Sequence, residues 1–277
     1  MASTLYVVAT PIGNLEDITL RAIRTLKQVD LVAAEDTRHT LRLLRALEIQ
    51  KPLLSLHEHN EQKRIEEISQ RLKQGQDIAL VSDAGTPCIS DPGARLIQAL
   101  AAQGAHICPI PGPSAAITAL SATGLTQGGF IFFGFLPPKG KERRQKLEAL
   151  CQRTCTAVLY ESPHKLLKTL QDISIVCHDP QITIGRELTK VYEEFLTDNA
   201  ETLIARYTEQ PPKGEFVLML PADPDQAGEI DLTQAQALME RCLSEGMGHK
   251  QAAELVAKQT GVPKKQAYQW GLQFFHK

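Results

Sequence analysis

The sequence predicts an α/β protein: two α/β domains, the first on a mainly parallel sheet and the second on a mixed one, with a ligand cleft between them and a small C-terminal helical domain. Three observations predict this. Up to Pro113, short apolar runs alternate with helical stretches, the signature of parallel βαβ units with right-handed crossovers. Beyond Leu125 the strands continue with fewer helices between them, so antiparallel pairs are expected. A Pro- and Asp-rich stretch, Pro221 to Asp231, then precedes a short helical tail. The boundaries drawn from this are 1–118, 119–222 and 232–277.

The elements follow in order. Leu5 to Thr10 reads as a strand, and Leu20 to Leu26 as a helix with Leu20, Ile23 and Leu26 on one face. Leu31 to Glu35 is a strand and Arg38 to Leu47 a helix. Pro52 to Leu56 is a short extended piece before the polar helix Asn60 to Gln74. Ile78 to Val81 is a buried strand, Ala94 to Gln103 a helix, and His106 to Pro113 the last strand of the first sheet. The second sheet takes Phe130 to Leu136, Ala157 to Glu161, Ile182 to Leu188 and Gly214 to Leu220.

In the tail, Gly248 to Phe274 has helix-turn-helix spacing, with the turn at Thr260-Gly261-Val262. Ala252, Leu255 and Val256 form one apolar face, and Ala267, Trp270 and Phe274 form another that can pack on it. Pro263 suits the first turn of the second helix, and Lys264 and Lys265 stand at its start. A plain helical cap on the second domain is the alternative.

The chain has 277 residues, 43% apolar and 22% charged, with a net charge of −2. Bulk charge therefore implies no nucleic-acid partner, and any basic surface must be local. No apolar run approaches the ~18 residues of a membrane span, and the N-terminus lacks the basic region of a signal peptide. Six cysteines without a C-x-x-C pair are expected as reduced thiols in a cytoplasmic protein.

The segment VSDAGTPCISDPGARLI, Val81 to Ile97, is a strand, a turn-rich loop and a helix, which is where ligands bind in an open α/β sheet. The chain contains neither G-x-x-x-x-G-K-[ST] nor G-x-G-x-x-G, and the loop has no Lys or Arg between Asp83 and Gly93. It carries Asp83 and Asp91, so it suits a neutral or cationic ligand better than a phosphate. His57 and His59 are read as a solvated surface pair, and no spacing argues for a metal.

ATPIGN, AAEDTRHT (Ala33 to Thr40), SDAGTPCISDPG, PGPSAAITAL, FFGFLP, YESPHK and RELTK, spread in this order from Leu5 to Leu220, resemble the tetrapyrrole-methylase superfamily of S-adenosylmethionine enzymes. Within it they are similar to the ribosomal RNA small-subunit methyltransferase I family, which methylates a 2′-hydroxyl of 16S rRNA. Tetrapyrrole methylases usually carry Gly-Asp-Pro where this chain has Gly85-Thr86-Pro87, a departure that points away from a porphyrin or corrin.

The resemblance implies S-adenosylmethionine as cofactor, contacted by Pro11, Ala84, Gly85, Thr86, Ile89, Ser114, Ala115, Glu161 and Leu188. It implies the 30S subunit or its 16S rRNA as partner, and a homodimer. For RNA contact the candidates are the basic stretch after FFGFLP, read as a loop with Lys139, Lys141, Arg143, Arg144 and Lys146, and Lys264 and Lys265 in the tail. A solvated charge run is the competing reading of the first. As catalytic candidates, Asp36 with Arg38 and Glu187 with Lys190 are expected at strand ends facing the cleft, where structural salt bridges are the competing reading. The alternatives to an rRNA methyltransferase are a tetrapyrrole C-methyltransferase and a DNA-binding regulator.

Overall fold

The computed structural model describes residues 3–126, 128–222, 232–260 and 262–274. Most of the expected linker (223–231), Gly261 of the tail turn and the side chain of Phe274 lie outside the described residues. Two compact units are present, Met1–Leu150 with Thr156–Pro221, and Cys151–Cys155 with Ala222–Lys277.

In the first unit the chain runs through β1 (Thr4–Val8), α1 (Leu20–Gln28), β2 (Leu31–Ala34), α2 (Thr37–Ala46), β3 (Leu53–Ser55), α3 (Glu61–Lys73), β4 (Ile78–Val81), α4 (Ala94–Ala102) and β5 (His106–Ile110). The five strands form one parallel sheet in the order β3-β2-β4-β1-β5. Strand β4 shows why it is buried on both faces. Ile78 and Leu80 pack with Leu96 and Leu100 of α4 and Ile68 of α3, while Ala79 and Val81 pack with Leu26 of α1 and Leu44 of α2. A period of two with apolar residues at every position needs helices on both sides. Thr19 and Asp36 cap α1 and α2 by accepting N–H groups of the first turn. Gly93 starts α4 at φ 119°, where an added Cβ would lie 2.8 Å from Cys88 Sγ and 2.9 Å from Leu80.

The chain continues through α5 (Ala115–Thr123), β6 (Phe130–Phe135), α6 (Gly140–Cys151), β7 (Thr156–Glu161), α7 (Pro163–Cys177), β8 (Gln181–Arg186), β9 (Glu194–Asn199), α8 (Ala200–Glu209) and β10 (Phe216–Leu220). The second sheet is mixed, in the order β6-β7-β10-β8-β9. The pair β6/β7 is parallel, and the pairs β7/β10, β10/β8 and β8/β9 are antiparallel. One face packs on α6, α7 and α8 through Leu147, Leu166, Leu170 and Leu203, and the other on α5 through Ala116, Ala119 and Leu120.

Three expectations are corrected here. Helices are as frequent in this half as in the first, because its polar helices α6 and α8 lack a clear apolar stripe in sequence. Strand β9, EFLTDN, lies at a sheet edge, half-buried only at Glu194 and Leu196, and carries too few apolar residues to be read as a strand. The basic stretch after β6 is not a loop, since α6 begins at Gly140.

The second unit holds α9 (Leu232–Ser244), α10 (His249–Thr260) and α11 (Lys264–Phe274). Ala252, Val256 and Ala267 are buried with Met239 and Leu243 of α9, and Leu255 and Trp270 pack against them. Among the described residues no helix is long and apolar enough to cross a membrane. Cys88, Cys108, Cys155 and Cys242 are free thiols, but Cys151 and Cys177 are disulfide-bonded, contrary to six reduced cysteines. Spacing along the chain tests only local pairs, and pairing is a property of the fold.

Candidate active site

The C-terminal ends of the parallel strands and one end of the second sheet surround a cavity of about 480 Å³. Each wall has a local origin. Ile12 follows β1 and Glu35 follows β2. The loop after β4 contributes Asp83 through Thr86 and Ile89 through Asp91, and Ser114 and Ala115 begin α5. From the second sheet come Phe135, Tyr160 and Glu161 at the ends of β6 and β7, Ser162 and Pro163 at the start of α7, Leu188 after β8, and Glu215 to Val217 at the start of β10. Among the described residues no Lys or Arg lines it.

The loop after β4 is tied down by backbone. Thr10 N–H donates to Gly85 O at 2.9 Å and Gly85 N–H to Thr10 O at 3.0 Å. Gly85 has φ 78°, and an added Cβ would lie 3.3 Å from Ile12 Cγ2, so this position requires glycine. The Thr86 hydroxyl donates to Pro113 O at 3.0 Å, and the Ala116 N–H donates to Tyr160 Oη at 3.1 Å. That last bond links the first turn of α5 to β7 across the cavity wall. Tyr160 also packs edge-on against Phe132 and Phe135, and burial pushes its hydroxyl above the usual tyrosine range.

The structure places the expected cofactor contacts Ala84, Gly85, Thr86, Ile89, Ser114, Ala115, Glu161 and Leu188 on this cavity. Pro11 is not among the lining residues; its neighbour Ile12 is. The four catalytic candidates do not line it either. Asp36 caps α2, and Arg38 grips its carboxylate in a fork, Nε to Oδ1 at 3.1 Å and Nη2 to Oδ2 at 2.7 Å. That fork holds the Asp36 carboxyl well below the usual carboxylate range. Lys190 donates to Glu187 at 2.8 Å and to Glu215 at 3.0 Å. Burial works against the Lys190 charge, but the two carboxylates outweigh it and hold the ammonium above its ordinary range. Burial likewise opposes ionisation of Glu187, and the Lys190 hydrogen bond prevails, lowering it. The expectation that these pairs face the cleft is corrected: the strand end turns by one residue, so Glu35 and Leu188 enter the cavity and their neighbours form ion pairs.

Three carboxylates on the first-sheet side stand together instead. Asp83 accepts the Asp36 N–H at 3.0 Å. Asp91 is raised above its ordinary value, chiefly by burial and then by Asp83, against a hydrogen bond from Ser82. Glu35 is pushed up to about 7 by burial and by the charges of Asp91, Asp83 and Glu58, with the Asp83 N–H pulling weakly the other way. The signal for Glu35 was present in AAEDTRHT, but two adjacent acids at a strand end cannot be told apart without the turn that follows.

The basic stretch divides. Lys139, Lys141 and Arg144 are exposed and Lys146 is half-buried. Arg143 is corrected as an RNA contact: it is buried, donating to Asp172 at 2.6 and 2.9 Å, to Pro137 O at 2.9 Å and to Thr169 Oγ1 at 3.1 Å. Thr169 in turn donates to Glu161 Oε2 at 2.6 Å, and the Ser162 N–H to Oε1 at 2.8 Å, so Arg143 supports the cavity from behind. Lys264 and Lys265 are exposed at the start of α11, and Lys264 pairs with Glu254 at 3.1 Å. His57 is half-buried and bonded to the Asn60 amide at 3.0 Å, not a solvated surface residue. Among the described residues, no group of three or more His, Cys, Asp or Glu is placed to hold a metal ion.

Residues 4–204 match the family described as Tetrapyrrole (Corrin/Porphyrin) Methylases, and residues 229–274 match the RsmI C-terminal HTH domain. Over 271 residues, 97% of both chains, the sequence is 44% identical to the protein named Ribosomal RNA small subunit methyltransferase I in Synechocystis sp.. It is also 44% identical over 282 residues to the protein of the same name in Haemophilus influenzae, covering 100% of this chain and 99% of the other. In fold it is similar to the solved structure of a cobalt precorrin-4 methyltransferase, with a TM-score of 0.60 at 18% identity over 79% of this chain and 94% of that one.

Proposed function

This chain belongs to the tetrapyrrole methylases and, within them, to the ribosomal RNA small subunit methyltransferase I family, and on that premise we propose that it methylates a cytidine ribose 2′-hydroxyl of 16S rRNA with S-adenosylmethionine as donor. The observation that carries the donor assignment is the cavity lining, with Asp83 and Asp91 from the β4 loop and, among the described residues, no Lys or Arg. That lining disfavours a phosphate and favours a cation. S-adenosylmethionine supplies an electrophilic methyl group on a positively charged sulfur. The residues present fit it: carboxylates face the cation, and Ile12, Ile89 and Leu188 offer apolar surface to a base. The start of α5, at Ser114–Ala115, offers N–H groups to a carboxylate.

The acceptor side follows from what surrounds the cavity. The Arg38 side chain is 86% exposed beside the Glu35 strand end and suits a backbone phosphate, even with Asp36 orienting it. Lys139, Lys141 and Arg144 extend the basic surface, and Lys264 and Lys265 give the helix-turn-helix unit a second one. In this reading residues 1–118 and 119–222 hold the donor and 232–277 contact RNA, in the cytoplasm. Strand β6 leaves Phe130 and Ile131 42% and 46% exposed on a sheet edge, which supports a second copy as partner.

The test is transfer of tritiated methyl from S-adenosylmethionine to purified 30S subunits, with free 16S rRNA and uroporphyrinogen in parallel. Label on ribose in the subunit or its rRNA is expected. Label on uroporphyrinogen alone overturns the assignment.

A further inference from the structure

We propose that Glu35 is the catalytic residue that takes the proton from the acceptor ribose hydroxyl, a role that rests on the methyl-transfer reading above. Position is the first ground. Glu35 leaves β2 at its C-terminal end, between the ends of β3 and β4, and its side chain lines the cavity while Asp36 turns away to cap α2.

Elimination among the neighbouring acids is the second ground. Asp36 is forked by Arg38, and Glu187 and Glu215 share Lys190. Glu161 accepts the Ser162 N–H on one oxygen and the Thr169 hydroxyl on the other. Asp83 accepts the Asp36 N–H and lies with Asp91 in the β4 loop, and both place negative charge beside Glu35. A carboxylate paired with a cation is a weaker base, and one beside like charges is a stronger one. The charged groups acting on Glu35 are Asp91 and Asp83 from the β4 loop and Glu58 from the turn after β3, all of them acidic. Together with burial they bring Glu35 to about 7, where a carboxylate is an effective proton acceptor at neutral pH.

The ribose O–H bond breaks and its proton passes to a Glu35 oxygen as the new O–C bond forms to the donor methyl. The C–S bond breaks with its electron pair left on sulfur, giving a neutral thioether. The Glu35 carboxylic acid then returns its proton to water.

Three measurements test it, on the full chain. In single turnover on 30S subunits, the wild-type rate rises with pH along a limb near 7. Glu35→Gln loses ~10²-fold or more and the limb disappears, while Glu35→Asp restores part of both. Calorimetric affinity for S-adenosylmethionine stays nearly unchanged in Glu35→Gln. Without any donor, thermal unfolding gives a further readout. Glu35 is raised in the fold, so its contribution is greatest below the ordinary value of 4.5 and is lost as pH rises through about 7. Glu35→Gln therefore melts above wild type at pH 8 and level with it at pH 4. A variant that keeps both rate and limb overturns the role, as does a rate loss matched by lost donor affinity, which makes Glu35 a donor-holding residue. Wild-type protein that labels no RNA overturns the methyl-transfer reading itself, and this role with it.

Discussion

The two walls of the cavity handle their acids in opposite ways. On the second-sheet side every carboxylate has a matched donor: Glu187 and Glu215 share Lys190, Glu161 takes Thr169 and Ser162, and Asp172 behind them takes Arg143. On the first-sheet side Glu35, Asp83 and Asp91 crowd together with backbone and hydroxyl donors and no cation among the lining residues. On the matched wall the Lys190 hydrogen bond holds Glu187 below its ordinary range. On the crowded wall burial and neighbouring charge raise Glu35 and Asp91, and their negative field attracts a cationic ligand.

Substitutions sharpen or break this contrast. The largest effect is expected for Arg143→Ala, which leaves Asp172 with only the longer Lys168 contact at 3.4 Å and removes the donor to Thr169. Breaking so buried a pair should cost about 3 kcal/mol in urea unfolding. A loss under about 1 kcal/mol would show that the second wall is not held by its ion pairs. Lys190→Met should cost about 2 kcal/mol at pH 7 by leaving Glu187 and Glu215 unpaired. Because Glu187 is lowered in the fold, that pairing is present above its ordinary value of 4.5 and is lost as pH falls through its folded value. The wild-type advantage should therefore shrink in acid, the opposite sense to Glu35→Gln. Smallest is Asp36→Ala, a slight loss of stability in urea unfolding from the lost cap of α2, with a near-normal transfer rate. A rate loss of ~10²-fold in Asp36→Ala, with none in Glu35→Gln, would move the proton acceptor one residue along the chain.

Much of this molecule was legible in its sequence. Runs such as IALV, apolar at every position, require helices on both faces, and so the parallel first sheet follows from local pattern. The stretch from Asp83 to Gly93 read as a turn-rich loop between a strand and a helix, and in the fold it joins β4 to α4, with Gly85 and Gly93 at positive φ. Strand β9 was not legible, because an edge strand needs few apolar residues. Helix α6 was not legible either, because KERRQK reads as a charge run until Arg143 is seen to turn inward.

Local pattern and chain order thus determined the two-sheet architecture and the helical tail, since backbone hydrogen bonding and apolar burial act on neighbours along the chain, while the residues expected at the cavity came from the family resemblance. Only the tertiary structure decided which acid is paired and which is not. Asp36 and Glu35 are adjacent and chemically alike. The cap of α2 turns one towards Arg38, and the close approach of β2 and β4 leaves the other among Asp83 and Asp91. Charge interactions depend on distance through the fold, and Asp83 and Asp91, distant along the chain, join burial and Glu58 in setting the proton affinity of Glu35.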